Sequence, residues 1–113
     1  MTKRLPFEEI RALDRLVHDP SRLGILMALS MCRQADFVSL LSLTGLTKGN
    51  LSTHLTKLER GKLITITKGY RGRVPRTTVD LKAAGREALR AHWKRLEQLW
   101  RAAKAWRPAE EVG

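Results

Sequence analysis

The run Leu43-Thr44-Gly45-Leu46-Thr47 constrains this chain more than any other part of it. A glycine able to take the left-handed conformation, an apolar residue to plug the corner and a threonine able to cap the next helix make a tight turn between helices. Before it, Asp36 can cap a short helix carrying Phe37, Leu40, Leu41 and Leu43, which Gly45 ends. After it, a helix is expected from about Lys48 to Arg60, closing at Gly61, with Thr47 as its cap. Leu51, Leu55 and Leu58 fall at i, i+4 and i+7 and define its buried face. Two short helices joined this way form a helix-turn-helix.

At 100° per residue the opposite face of that second helix carries Gly49, Asn50, Thr53, Thr56, Lys57 and Arg60, with Ser52 and His54 on the flanks. A merely solvated helix more often pairs Glu with Lys, whereas the only acid here is Glu59. Downstream, Leu63 to Lys68 alternates β-branched residues and reads as a strand. The stretch Gly69-Tyr70-Arg71-Gly72-Arg73-Val74-Pro75 is expected to break it as a long basic tip. Thr77, Val79 and Leu81 then alternate through a return strand. A helix-turn-helix with such a hairpin after it is a winged helix-turn-helix, the wing spanning about 68–76.

The flanking segments frame this unit. Leu5-Pro6-Phe7-Glu8-Glu9 opens a first helix whose Ile10, Leu13, Leu16 and Val17 continue an apolar stripe to the break at Asp19-Pro20. Asp19 then reads as the cap, and Pro20 as the first residue, of a second helix that is apolar almost all round and so central to the core. Arg33-Gln34-Ala35 reads as a connector. From Lys82 to about Trp106 the composition is helical apart from Gly85, and Leu89, Trp93, Leu96, Trp100 and Ala103 repeat at four, three, four, three. The fold class is therefore mainly α with a small β-hairpin wing. Residues 1–81 form the winged helix-turn-helix, 82–107 an added C-terminal dimerisation helix in the same domain, and 108–113 a disordered tail.

Composition sharpens the functional reading. The net charge is +11 over 113 residues, and the window 47–76 holds eight cations against Glu59 alone. Residues 1–46 are nearly balanced, with six basic and five acidic groups, while 82–107 carries eight basic against two acidic. Cations for phosphates, short donors and acceptors for base edges, and an element narrow enough for the major groove are what duplex DNA binding requires. Apolar runs are far shorter than a membrane span and no signal-like segment opens the chain, so a cytoplasmic location and no membrane partner are expected. Cys32 is the only cysteine, which leaves no disulfide or paired-cysteine metal motif, and it reads as a packing residue. Gly45-Leu46-Thr47-Lys48-Gly49 lacks phosphate-loop spacing, no catalytic constellation stands out, and no enzyme activity, cofactor or metal is expected.

The DNA-contacting set is Thr47, Lys48, Gly49, Asn50, Ser52, Thr53, His54 and Lys57 from the helix, and Lys68, Tyr70, Arg71, Arg73 and Arg76 from the wing. Asn50 and Thr53 suit base edges, Lys48 and Lys57 phosphates, and Arg71 and Arg73 a minor groove. Structural alternatives stand beside these: Thr47 as a cap only, Asn50 bonded to the first turn, His54 packed beside the leucines, the hairpin simply solvated. Arg22 is divided between phosphate and an ion pair with Asp19 or Asp14. The expected dimer interface is Ile10, Leu13, Val17, Leu89, Trp93, Leu96 and Trp100, because a chain this short hides only about two-thirds of its unfolded surface. The same seam could instead pack within one chain or line a pocket for a small-molecule effector.

Asp19-Pro20-Ser21-Arg22-Leu23 with Ile25-Leu26, then Leu46 to Leu55 with Leu58-Glu59, and the wing from Lys68 to Thr78 with Leu81 and Ala84-Gly85-Arg86 after it, resemble the winged-helix regulators related to the MarR and ArsR groups. The similarity spans about Leu13 to Leu99. It implies a prokaryotic transcription regulator that dimerises through its terminal helices and binds operator DNA. Metal sensing, which ArsR members base on paired cysteines or acid and histidine clusters, is not implied. A winged-helix protein-interaction module and a nonspecific architectural DNA binder are the alternatives.

Overall fold

The computed structural model describes residues 7–107. Helix α1 (Phe7–Arg11) leads through turns to α2 (Pro20–Cys32), β1 (Gln34–Asp36), α3 (Phe37–Thr44), α4 (Lys48–Arg60), the hairpin β2 (Ile64–Arg71) and β3 (Val74–Leu81), and α5 (Ala83–Ala105). The expected helix start at Leu5-Pro6 and the expected tail 108–113 lie outside the described residues. No described helix is long and apolar enough to cross a membrane.

Local chemistry sets the helix boundaries where capping residues occur. Asp19 accepts from the Arg22 N–H at 3.0 Å, Asp36 from the Ser39 N–H at 2.7 Å and Thr47 from the Asn50 N–H at 3.2 Å. Each satisfies one of the donors that a helix start leaves free, for about 1 kcal/mol. Gly45 closes α3 with φ of 70° and returns its N–H to the Leu41 carbonyl. Ile25, Leu26 and Leu29 of α2, Leu40 of α3 and Leu51 and Leu58 of α4 have no exposure, so α2 is the central core helix. Each such side chain gains roughly 1.5–3 kcal/mol from burial.

Three expectations are corrected. The first helix stops at Arg11 instead of reaching Val17, because Asp14 bends the chain: its carboxylate accepts from the Leu16 N–H at 2.9 Å and its carbonyl from His18 at 2.7 Å. Leu13 and Val17 are buried from this turn, not from a helix. The connector after α2 is partly strand, since β1 pairs antiparallel with β3 (Gln34 with Asp80, Asp36 with Thr78), giving a sheet ordered β1-β3-β2. The wing has no long tip. Its strands pair from Ile64–Leu81 out to Arg71–Val74 and turn through Gly72 and Arg73, with positive φ at Gly72 (66°) as a type II′ turn requires. Pro75 is tolerated because β1 reaches only Thr78–Asp80, leaving that stretch of β3 open on its other side.

Helix α5 packs chiefly on α2. Leu89 and His92 are buried at its root, whereas Trp93 and Trp100 are 45% and 65% exposed. At 1.5 Å per residue it is about 35 Å long, and it contributes to a molecule extending 76 Å along its long axis. His92 Nε2 lies 3.2 Å from His18 Nδ1, and its own Nδ1 is buried without a partner. Burial, then the neighbouring His18, holds the His92 imidazole below its ordinary 6.5; Arg95 adds to this and Asp14 opposes it. Because the unfolded chain then takes up a proton before the folded one does, this site's contribution is complete above about pH 6.5 and is lost as pH falls below it. Thermal melts from pH 8 to 5 should therefore show a falling Tm, and His92→Leu should flatten that slope.

Candidate nucleic-acid interface

Thr47, Lys48, Gly49, Asn50, Ser52, Thr53, Thr56, Lys57 and Arg60 are all exposed along α4, with Leu51, Leu55 and Leu58 sealing the opposite side. The Thr53 hydroxyl donates to the Gly49 carbonyl at 3.0 Å and that of Thr56 to Ser52 at 2.9 Å. With their protons committed to the helix, these exposed threonines have a methyl group and oxygen lone pairs left to offer a partner. That suits a thymine methyl or an amino donor on a base edge. Thr47 does cap the helix while remaining exposed.

The hairpin stands beside α4. Alternate residues of a strand share a face, so Lys68 and Tyr70 lie on the same side of β2 as Ile64 and Ile66, toward α4. Lys68 lines a cleft of about 610 Å³ with Ser52, Thr56, Glu59, Ile66 and Thr77. Tyr70 is 75% exposed, and Arg71 and Arg73 flank the Gly72 turn in the open. Glu59 stays exposed in this cleft, where its carboxylate accepts from the backbone N–H of Ile66 at 3.2 Å and ties the end of α4 to β2. Its position as the only acid in α4 was the one sequence signal for that role.

Two expected contact residues also bond within the chain. Arg76 pairs with Asp36 at 3.5 Å, bracing β3 against the start of α3. The Asp36 carboxyl sits below its ordinary range because the Ser39 backbone N–H and hydroxyl bond it and Arg76 lies beside it, which together outweigh the opposing effect of burial. His54 is half-buried, its Nδ1 3.0 Å from Arg22 Nη1. Arg22 also lies 4.0 Å from Asp19, as one of the sequence alternatives has it. Burial raises the Asp19 carboxyl, but hydrogen bonding and charge led by the Arg22 N–H and guanidinium outweigh it and leave it lowered.

Of the expected interface residues, Leu13, Val17 and Leu89 are filled within the single chain, while Ile10, Trp93 and Trp100 face outward and Leu96 is half-buried. A groove of about 540 Å³ between α1 and α5 is lined by Glu9, Ala12, Arg95, Gln98, Leu99 and Ala102, with no tryptophan in it. Cys32, expected to pack, is exposed at the end of α2.

The helix-turn-helix with its recognition-type face, the β-hairpin beside it and the trailing long helix define a winged-helix protein. A family model described as winged helix DNA-binding domain matches residues 21–100, and the chain belongs to that family. A transcriptional regulator homologue from Pyrococcus horikoshii OT3 is 31% identical, with a TM-score of 0.78 over 85% of this chain and 97% of that one. A MarR family regulator from Silicibacter pomeroyi shares the fold at 20% identity and a TM-score of 0.62, over 93% and 70% of the two chains. An ArsR family transcriptional regulator does so at 21% and 0.52, over 89% and 97%. No curated protein sequence matches the chain.

Proposed function

We propose that the chain is a sequence-specific, duplex-DNA-binding transcription regulator that acts as a homodimer. Helix α4 enters the major groove, and the wing lies on the adjacent backbone or minor groove. The observation that carries this is the unbroken exposed face of α4 from Thr47 to Arg60: it is small and polar at its centre and cationic at its ends. Its one acid, Glu59, lies near the C-terminal end and accepts from the Ile66 N–H. The outward Trp93 and Trp100 of α5, with Ile10, support pairing with a second copy. Two recognition helices would then read half-sites about 34 Å apart on a pseudo-palindromic operator. The groove between α1 and α5 is of a size suited to a small-molecule effector.

The test is selection of bound fragments from random duplex DNA, then anisotropy titrations of wild type and Asn50→Ala. Wild type should prefer selected over scrambled duplex. Asn50→Ala should lose about 1–3 kcal/mol of that preference at one base pair per half-site. Equal affinity for all duplexes would mean an architectural binder. Negligible binding at low salt would leave the protein-interaction module.

A further inference from the structure

Arg22 directs its donors inward. Its Nε donates to the Leu16 carbonyl at 2.6 Å and its Nη2 to the Arg15 carbonyl at 3.1 Å, while Nη1 lies 3.0 Å from Nδ1 of His54. The two side chains keep only 11% and 18% of their exposure. A guanidinium has donors, no acceptor, and stays protonated in proteins. The 3.0 Å contact therefore needs a lone pair on Nδ1, which places the ring proton of His54 on Nε2. The other candidate partner for Nδ1 is Asp19, at 4.0 Å, beyond hydrogen-bond length.

The far side of the ring is not sealed. Nε2 of His54 makes no hydrogen bond among the described residues, and it is not one of the buried unpartnered ring atoms, so it meets solvent. His54 comes four residues after Asn50 and three before Lys57, so the three share one flank of α4. A neutral imidazole can present either a lone pair or an N–H. Beside a phosphate oxygen the first repels and the second bonds, so the tautomer decides the sign of the contact.

We propose that Arg22 is a positioning residue that locks His54 in the Nε2–H tautomer, and that this N–H donates to a phosphate oxygen of bound duplex DNA next to Asn50 and Lys57. The inference rests on the DNA-binding reading above and adds to it an uncharged, directional backbone contact. Such a contact raises affinity for every sequence alike and releases no counterion.

Two substitutions separate the ring nitrogens. The amide nitrogen of Gln reaches about as far as Nε2, while that of Asn reaches only as far as Nδ1. His54→Gln should bind selected duplex close to wild type. His54→Asn should bind roughly tenfold more weakly, equally on selected and scrambled duplex, with an unchanged slope of log K against log salt. Imidazole nitrogen NMR of the free wild-type protein should show His54 protonated at Nε2 alone, and Arg22→Met, checked for its fold by circular dichroism, should give mixed tautomers. Wild-type affinity in His54→Asn, a sequence-dependent loss, or an Nδ1–H ring would overturn the inference while leaving DNA binding intact. Failure of the wild type to bind duplex at low salt overturns both readings.

Discussion

Gly85→Ala should destabilise the protein, although the same change in an ordinary helix stabilises it by about 1 kcal/mol. A Cβ at position 85 would stand 2.2 Å from the Leu63 carbonyl oxygen and 2.7 Å from Leu81 Cδ1. The carbonyl is backbone, and it also accepts the Lys82 N–H at 3.0 Å at the start of α5, so it cannot swing aside. The helix must retreat instead, loosening Leu89 and His92 beneath it. Overpacking of this kind costs about 1–3 kcal/mol, which in a domain of this size lowers Tm by about 4–8 °C per kcal/mol. Gly24 is the internal control. It lies within α2 with nothing within 4 Å of its missing Cβ, and Gly24→Ala should raise Tm. Urea or thermal unfolding of the two variants decides the matter, and a stabilised Gly85→Ala would show that α5 does not approach the sheet this closely.

DNA affinity should fall about 10³- to 10⁵-fold between 50 and 200 mM salt if a dimer neutralises six to ten phosphates. Within residues 47–76 the cations that the structure leaves exposed without an ion pair are Lys48, Lys57, Arg60, Lys62, Lys68, Arg71 and Arg73. Lys57→Ala and Arg73→Ala should each reduce the salt slope by about one per subunit in contact. Arg76→Ala should reduce it less, because Asp36 already compensates that charge at 3.5 Å. Anisotropy titrations across a salt series measure all three slopes. Equal reductions at Arg73 and Arg76 would mean that the Asp36 pair opens on DNA.

Much of this surface was legible in the sequence because its signals are local. Asp19, Asp36 and Thr47 each bond a backbone N–H three residues on, and Leu51, Leu55 and Leu58 repeat within one helix. What the sequence concealed depends on partners distant along the chain. Strand β1 is three residues, too short for its alternation to signal a strand, and exists because β3 offers it an edge. The ion pair of Arg76 needs Asp36, forty positions earlier, and the contact of His54 needs Arg22. The apolar spacing of Leu13, Leu16 and Val17 reads as a helix, yet it is equally met by a turn that Asp14 folds back on itself. Gly85 looked like a flaw in a helical segment; its reason is a carbonyl from another element.

The bond from Glu59 to the Ile66 N–H also bears on how the protein stays in solution. Strand β2 is an outer strand of the sheet, eight residues long, and an open edge of that length is a template on which another chain can add a strand. Glu59 occupies one donor of that edge, and Lys68 and Arg71 add positive charge along the rest. Removing that carboxylate would therefore expose an adhesive margin, and aggregation on storage would be a sensitive report of its loss.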